Sequence, residues 1–137
     1  QAEAANGLGA GGRGNHFLQK GVALVMAGTL FPEFEESARW LRTGRLVVAD
    51  QFRKEILPDG GSIEASPSYS HFIAGLHLAA RLALAANGKP PIPGLEASVL
   101  RQYRFLAATQ APSGKTLQVG DSYALDARKE VLLDLSH

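Results

Sequence analysis

Cysteine is absent from the sequence, and long apolar runs are absent as well. Without cysteine, the chain has no disulfides, thiolate nucleophiles or cysteine-ligated zinc sites. No apolar run approaches the ~18 residues that a membrane-spanning helix requires, so no membrane span is predicted. The Asp59-Gly60-Gly61 turn lacks the Lys-Ser/Thr pair of a phosphate loop, so no cofactor is predicted, and no metal site is assigned.

The sequence also has almost no net charge. The 14 Lys and Arg residues against 13 Asp and Glu residues give +1, so the overall field indicates neither nucleic acid nor an anionic membrane as a partner. Any attraction for an acidic polymer must therefore be local. The composition, 45% hydrophobic and 20% charged, is typical of a packed globular protein, and 137 residues suit one domain with one core.

Apolar residues at helical spacing, with proline and glycine stops, predict four helices at residues 16–30, 33–57, 68–86 and 95–109. Residues 1–14 are rich in glycine and alanine without periodicity and are expected to be a flexible lead-in. Pro32-Glu33 is typical of a helix start, because proline tolerates the first turn and acids complement the positive helix end. Small residues in the first helix, such as Gly21 and Gly28, would permit close helix packing.

The predicted fold class is all-α, with stacked antiparallel helical hairpins of the solenoid or toroid kind. No strand pattern of comparable strength competes, although 117–121 is expected to be extended and a further helix could begin near Leu125. We assign residues 1–137 to a single helical domain, with the hairpins in 15–137. The last residues stop in the middle of an apolar pattern, so the chain is expected to be part of a longer protein.

Two polar motifs stand where helices are predicted to begin. Gly14-Asn15-His16 opens the first helix, and a turn with Glu64 leads into the third helix and Tyr69. An amide, an imidazole and a phenol are suited to holding a sugar carboxylate and removing the proton beside it. Hydrogen bonds that strengthen as charge builds on that carboxylate would favour the transition state, and a tyrosine could take the proton as phenolate.

Each of these residues also has a structural interpretation. Asn15 is a good N-cap, and on spacing alone this role is favoured, although it can coexist with substrate binding. His16 could be a helix-start histidine without a catalytic role. Tyr69 is in phase with Ile73 and Leu76, which is typical of a core aromatic with its hydroxyl at the rim.

Further polar residues receive lesser roles. Gln19 falls one turn beyond His16 and is a candidate for substrate contact, with a solvent-facing amide as the favoured alternative. His71 is a candidate at the rim of a cleft. Glu64 is predicted to support its loop or cap the following helix. His77, among apolar neighbours, is predicted to be structural, and Asp121 to fix its turn.

Several sequence strings, in this order and at this spacing, resemble the heparinase II/III family, which is related to the alginate lyases. They are GNHFL at 14–18, LFPEF at 30–34, ARW at 38–40, LPDGG at 57–61, EASPSY at 64–69 and VGDS at 119–122. The resemblance covers about residues 14–125. One departure is Ser70, since many relatives have histidine directly after the tyrosine.

The resemblance implies an (α/α) toroid followed by a β-sandwich domain, acting on acidic polysaccharide by β-elimination. It implies that Asn15 and His16 lie beside the uronate carboxylate and that Tyr69 is the catalytic phenol. The partners would be an acidic polysaccharide and the β-sandwich domain, and a periplasmic or secreted location is suggested. By itself the chain is expected to be a poor catalyst.

Two classes of function are therefore weighed. The first is a polysaccharide lyase module, and the second is a non-catalytic carbohydrate-binding or scaffold module on the same helices. Asn15, His16 and Tyr69 together favour the lyase, because a scaffold has no need of all three. A shared site requires their polar tips to lie within roughly 10 Å of one another on one concave surface.

Overall fold

The computed structural model describes residues 13–123, which form four α-helices. They are α1 Asn15–Leu30, α2 Ser37–Glu55, α3 Pro67–Ala86 and α4 Leu95–Ala108. Within 13–123 the β contacts are two isolated bridges, Ile56 with Ser62 and Gln110 with Thr116, so the all-α prediction is confirmed. The predicted lead-in up to residue 12 and the helix from Leu125 lie outside the described residues.

Helix α1 lies between α2 and α3, and α4 packs on α3 and touches α2. Apolar side chains of all four helices form one buried core. This core includes Leu18, Val22, Val25, Val48, Phe52, Ile73, Ala80, Leu84, Leu95 and Val99. Glu64, in the loop before α3, hydrogen bonds to Asn15 at the start of α1, so these two helices begin at the same end of the bundle. None of the helices in 13–123 is long and apolar enough to cross a bilayer.

Glycines allow α1 and α2 to approach closely, as the small residues of the sequence predict. A Cβ added to Gly44 would lie 2.6 Å from both the Gly21 carbonyl oxygen and the Val25 amide nitrogen. A Cβ on Gly28 would lie 2.4 Å from the Ser37 carbonyl oxygen. The two backbones are therefore in direct contact along the hairpin.

The predicted start of the second helix at residue 33 is wrong. The Phe34 N–H donates to the Phe31 carbonyl at 3.3 Å, and the Ser37 N–H donates to the Phe34 carbonyl at 3.0 Å, so residues 32–36 form successive turns. Helix α2 begins only at Ser37, where it meets Gly28 of α1. It ends at Glu55, because Ile56 is extended and pairs with Ser62.

His77 is buried in α3, as predicted, with 1% of its surface exposed. Its Nδ1 lies 3.1 Å from Gln102 Oε1, and Gln102 Nε2 donates to Ser98 Oγ at 3.2 Å. Among the described residues Nε2 of this imidazole has no hydrogen-bond partner. Burial lowers the pKa of His77 from 6.5 to about 4, although the hydrogen bond with Gln102 acts in the opposite direction.

This lowered pKa predicts an acid-sensitive fold. Between pH 6.5 and about 4 the unfolded chain binds a proton at His77 that the folded chain does not, so stability falls as the pH falls through this window. The full difference is about 3 kcal/mol. Urea denaturation at several pH values should show a flatter pH dependence for His77→Gln. An unchanged slope in His77→Gln would contradict the assignment.

Candidate functional site

Two carboxylates from elsewhere in the chain hold the start of helix α1. Gly14, the N-cap residue, has φ 78° and no side chain that could cap the helix. Instead, its N–H donates to Glu55 Oε1 at 2.8 Å, and the Asn15 N–H donates to Glu64 Oε1 at 3.0 Å. These bonds satisfy donors at the positive end of the helix, where a negative side chain is stabilising. Glu55 comes from the last turn of α2 and Glu64 from the loop before α3.

The structure therefore corrects two predictions about this end. Asn15 is the first residue of α1 and not its N-cap, because Gly14 takes that position. Glu64 caps α1 and not the helix that follows it, since its carboxylate reaches back 49 residues to Asn15. The predicted support of the loop by Glu64 is consistent with this contact.

The Asn15 side chain is held from two directions. Its Nδ2 donates to Glu64 Oε2 at 3.3 Å, and its Oδ1 accepts from Gln19 Nε2 at 3.4 Å. Gln19 lies one helical turn further along α1, so both are on the same face of the helix. The sequence places Gln19 as a candidate for substrate contact, and in the structure it contacts Asn15.

The start of helix α3 is built around Ser66, which is its N-cap residue. Ser66 Oγ accepts from the Tyr69 N–H at 3.4 Å, and the Ser70 hydroxyl donates to the Ser66 carbonyl at 2.9 Å. Pro67 occupies the first helical position, where its missing N–H has no cost. The backbone of Tyr69 is therefore fixed on the first turn of α3, and its side chain is partly buried.

A segment far along the chain closes on the same serine. Ser66 Oγ donates to the Asp121 carbonyl at 2.9 Å and hydrogen bonds with Ser122 Oγ at 2.9 Å. Gly120 approaches closely as well, since a Cβ there would lie 3.3 Å from the Ala65 carbonyl oxygen. Asp121 contributes its backbone carbonyl to this contact, whereas its side chain is exposed. The sequence predicts that Asp121 fixes its own turn and does not predict this contact with Ser66.

The predicted site residues occupy one end of the bundle. His16 is exposed on the first turn of α1, and His71 is half-buried on the second turn of α3. The bonds from Glu64 join the helix start that carries Asn15 and His16 to the loop that leads into Tyr69. That the polar tips of Asn15, His16 and Tyr69 converge within roughly 10 Å stays a prediction.

Tyr103 is a second phenol in the helices, and its surroundings do not suit a base. It packs against the core from α4, and desolvation raises the pKa of its phenol. A raised pKa leaves less of the phenol ionised near neutral pH, which argues against Tyr103 as the base.

The grooves found among residues 13–123 lie away from these polar residues. One is an open apolar groove along α1 and α2, lined by Lys20, Ala23, Leu24, Ala27 and Trp40. The other lies between α3 and α4 around the ion pair of Arg81 with Glu96, whose atoms are 2.7 Å apart. Neither contains Asn15, His16 or Tyr69. These two grooves are therefore separate from the predicted site.

Known proteins resemble this chain in sequence. A heparin-sulfate lyase of Pedobacter heparinus is 32% identical over an alignment of 123 residues, and the match covers 83% of this chain and 18% of that protein. A heparin-sulfate lyase of Bacteroides thetaiotaomicron is 32% identical over an alignment of 81 residues, and the match covers 58% of this chain and 12% of that protein. The chain therefore spans less than a fifth of the length of these relatives.

Solved structures resemble it in fold. A heparinase III structure superposes with a TM-score of 0.77 at 22% identity and covers 93% of this chain and 20% of that one. A heparan sulfate lyase from Pedobacter heparinus gives a TM-score of 0.72 at 27% identity, covering 91% and 20%. Residues 8–133 match the family described as Heparinase II/III N-terminus. This match spans most of the sequence, so the chain belongs to the heparinase II/III family.

Proposed function

We propose that this chain carries the carboxylate-binding residues and the base of a polysaccharide lyase that cleaves heparin or heparan sulfate by β-elimination. The family and the names of the relatives support this class of substrate, which is acidic and contains uronate. In this proposal the four helices are part of an (α/α) toroid, and a β-sandwich domain completes the cleft.

One structural observation carries the proposal. Glu64 hydrogen bonds to the backbone and the side chain of Asn15, so the start of α1 meets the loop that positions Tyr69. The contact joins residues 49 apart, and it brings the helix start that carries Asn15 and His16 to the loop that leads into Tyr69. This arrangement supports a shared site for the amide, the imidazole and the phenol.

The proposed reaction gives each of the three groups a role. Asn15 and His16 donate hydrogen bonds to the uronate carboxylate, which becomes more negative as the C5 proton leaves. Tyr69, as phenolate, takes that proton, and the electron pair forms the C4–C5 double bond while the C4–O bond breaks. The departing oxygen then takes a proton, which Tyr69 is placed to return. Ser70 replaces the histidine that many relatives have after the tyrosine, so no adjacent imidazole takes part.

A panel of polymers tests this function. We expect a full-length protein that contains this chain to generate ultraviolet absorbance of the new double bond with heparan sulfate or heparin. Alginate and hyaluronan should react more slowly, since they lack the sulfated glucosamine of the proposed substrates. Binding of heparan sulfate without any unsaturated product would instead support the carbohydrate-binding module. Faster reaction with alginate would keep the lyase and reject the proposed substrate class.

A further inference from the structure

Both carboxylate oxygens of Glu64 accept hydrogen bonds from Asn15. Oε1 accepts from the backbone N–H at 3.0 Å, and Oε2 accepts from side-chain Nδ2 at 3.3 Å. The Glu64 N–H in turn donates to Ser62 Oγ at 3.3 Å, and Ser62 is only 5% exposed. A hydrogen bond within the loop therefore holds Glu64 in place. Its carboxylate fixes the side chain of Asn15 relative to the Asn15 backbone.

This contact also selects the orientation of the amide. A side-chain amide has an accepting oxygen and a nitrogen with two N–H donors, and a carboxylate can only accept. The nitrogen of Asn15 must therefore face Glu64, because the reverse orientation would place two acceptors against each other. Gln19 Nε2 donates to Asn15 Oδ1 at 3.4 Å and so uses one of the two lone pairs of that oxygen. The second N–H of Nδ2 is the donor that remains for a ligand.

We infer that Glu64 is a positioning residue, which orients Asn15 so that it presents an N–H donor and not a carbonyl oxygen to the substrate. A uronate carboxylate is an acceptor, so only this orientation of the amide stabilises the charge that develops on it. The inference rests on the proposed function, and it adds a role for Glu64 that contact with substrate does not require. Glu55, which accepts from the Gly14 N–H, supports the same helix start without touching the Asn15 amide.

A double-mutant cycle in the full-length protein, with heparan sulfate as the probe, tests this role. We expect Glu64→Ala to lower kcat about tenfold to hundredfold, since a misplaced catalytic contact has effects of this size. Glu64→Gln should also lower kcat, because its amide nitrogen cannot accept from Asn15 Nδ2. In an Asn15→Ala background, Glu64→Ala should change kcat by less than about twofold, since the group that it orients is gone.

Glu55→Gln is the matched control, because it makes the same chemical change at the same helix end. It should lower the melting temperature and leave kcat unchanged. If Glu64→Ala lowered kcat by the same factor with and without Asn15, Glu64 would act on the site generally and the positioning role would be rejected. Full turnover in both Glu64 variants, with Asn15→Ala still impaired, would also reject it and leave the proposed function standing. Full turnover in Asn15→Ala would reject the carboxylate-binding role of Asn15 and the inference with it.

Discussion

Replacing Tyr69 with phenylalanine is expected to remove nearly all elimination activity from the full-length protein. The hydroxyl is the group that takes the C5 proton in the proposed mechanism, and general acid–base steps of this kind contribute ~10²–10⁴-fold each. Since the ring stays in place, oligosaccharide affinity should remain within about tenfold. Absorbance of the unsaturated product measures the rate, and calorimetric titration with an oligosaccharide measures the affinity.

The control for this experiment is Tyr103→Phe. It makes the same chemical change in α4, at a phenol whose pKa burial raises, and turnover should not change. Both variants should fold, because the hydroxyl of a partly buried tyrosine is removed without a change of ring volume. If Tyr69→Phe turned over heparan sulfate at the parent rate, Tyr69 would be excluded as the base.

The second large effect is expected at the α1–α2 contact. A methyl group on Gly44 would overlap the backbone of α1, which cannot rotate away as a side chain can. We expect Gly44→Ala to lower the free energy of unfolding by about 2 kcal/mol or more, because overpacking of a close contact has a cost of this order. Urea denaturation, followed by circular dichroism, measures the change.

Gly75 offers a matched comparison, since it also lies inside a helix. An added Cβ at Gly75 would meet nothing within 4 Å, so Gly75→Ala should raise stability by about 0.5–1 kcal/mol through helix propensity alone. The two substitutions are thus expected to have opposite signs. A stabilising Gly44→Ala would show that the two helices are further apart than the structure has them.

The positions of the helices followed largely from sequence, and the start of α2 did not. Three predicted helices begin and end within one residue of the observed ones, because apolar spacing and proline or glycine stops are local signals. Pro32-Glu33 is also a local signal for a helix start. There the tertiary contact between Gly28 and Ser37 decides where the helix begins, and no local pattern reports that contact.

At the candidate site, too, local sequence predicts where a helix begins but not which distant residues contact it. The start of α3 is predicted at residue 68 and lies at Pro67, where the adjacent Ser66 caps the helix. The carboxylates that cap α1 lie 41 and 49 residues away from their donors, so spacing could not assign Glu55 at all and assigned Glu64 to the wrong helix. The motifs gave the candidate residues, whereas the hydrogen-bond partners of those residues depended on the packing of the helices.

The contacts of Ser66 have a consequence for how folding of this protein should be judged. Its bonds to Asp121 and Ser122 span 55 and 56 residues and lie outside every helix. A partly folded chain could therefore hold all four helices, and show a full far-ultraviolet helical signal, while the start of α3 is still unanchored. Helix content would then overstate the fraction of molecules in which the start of α3 is anchored. The Ser68 N–H donates to Ser122 Oγ at 3.4 Å, and the Tyr69 N–H donates to Ser66 Oγ at 3.4 Å. Protection of these two amides from hydrogen exchange would therefore report the anchored start of α3 more faithfully.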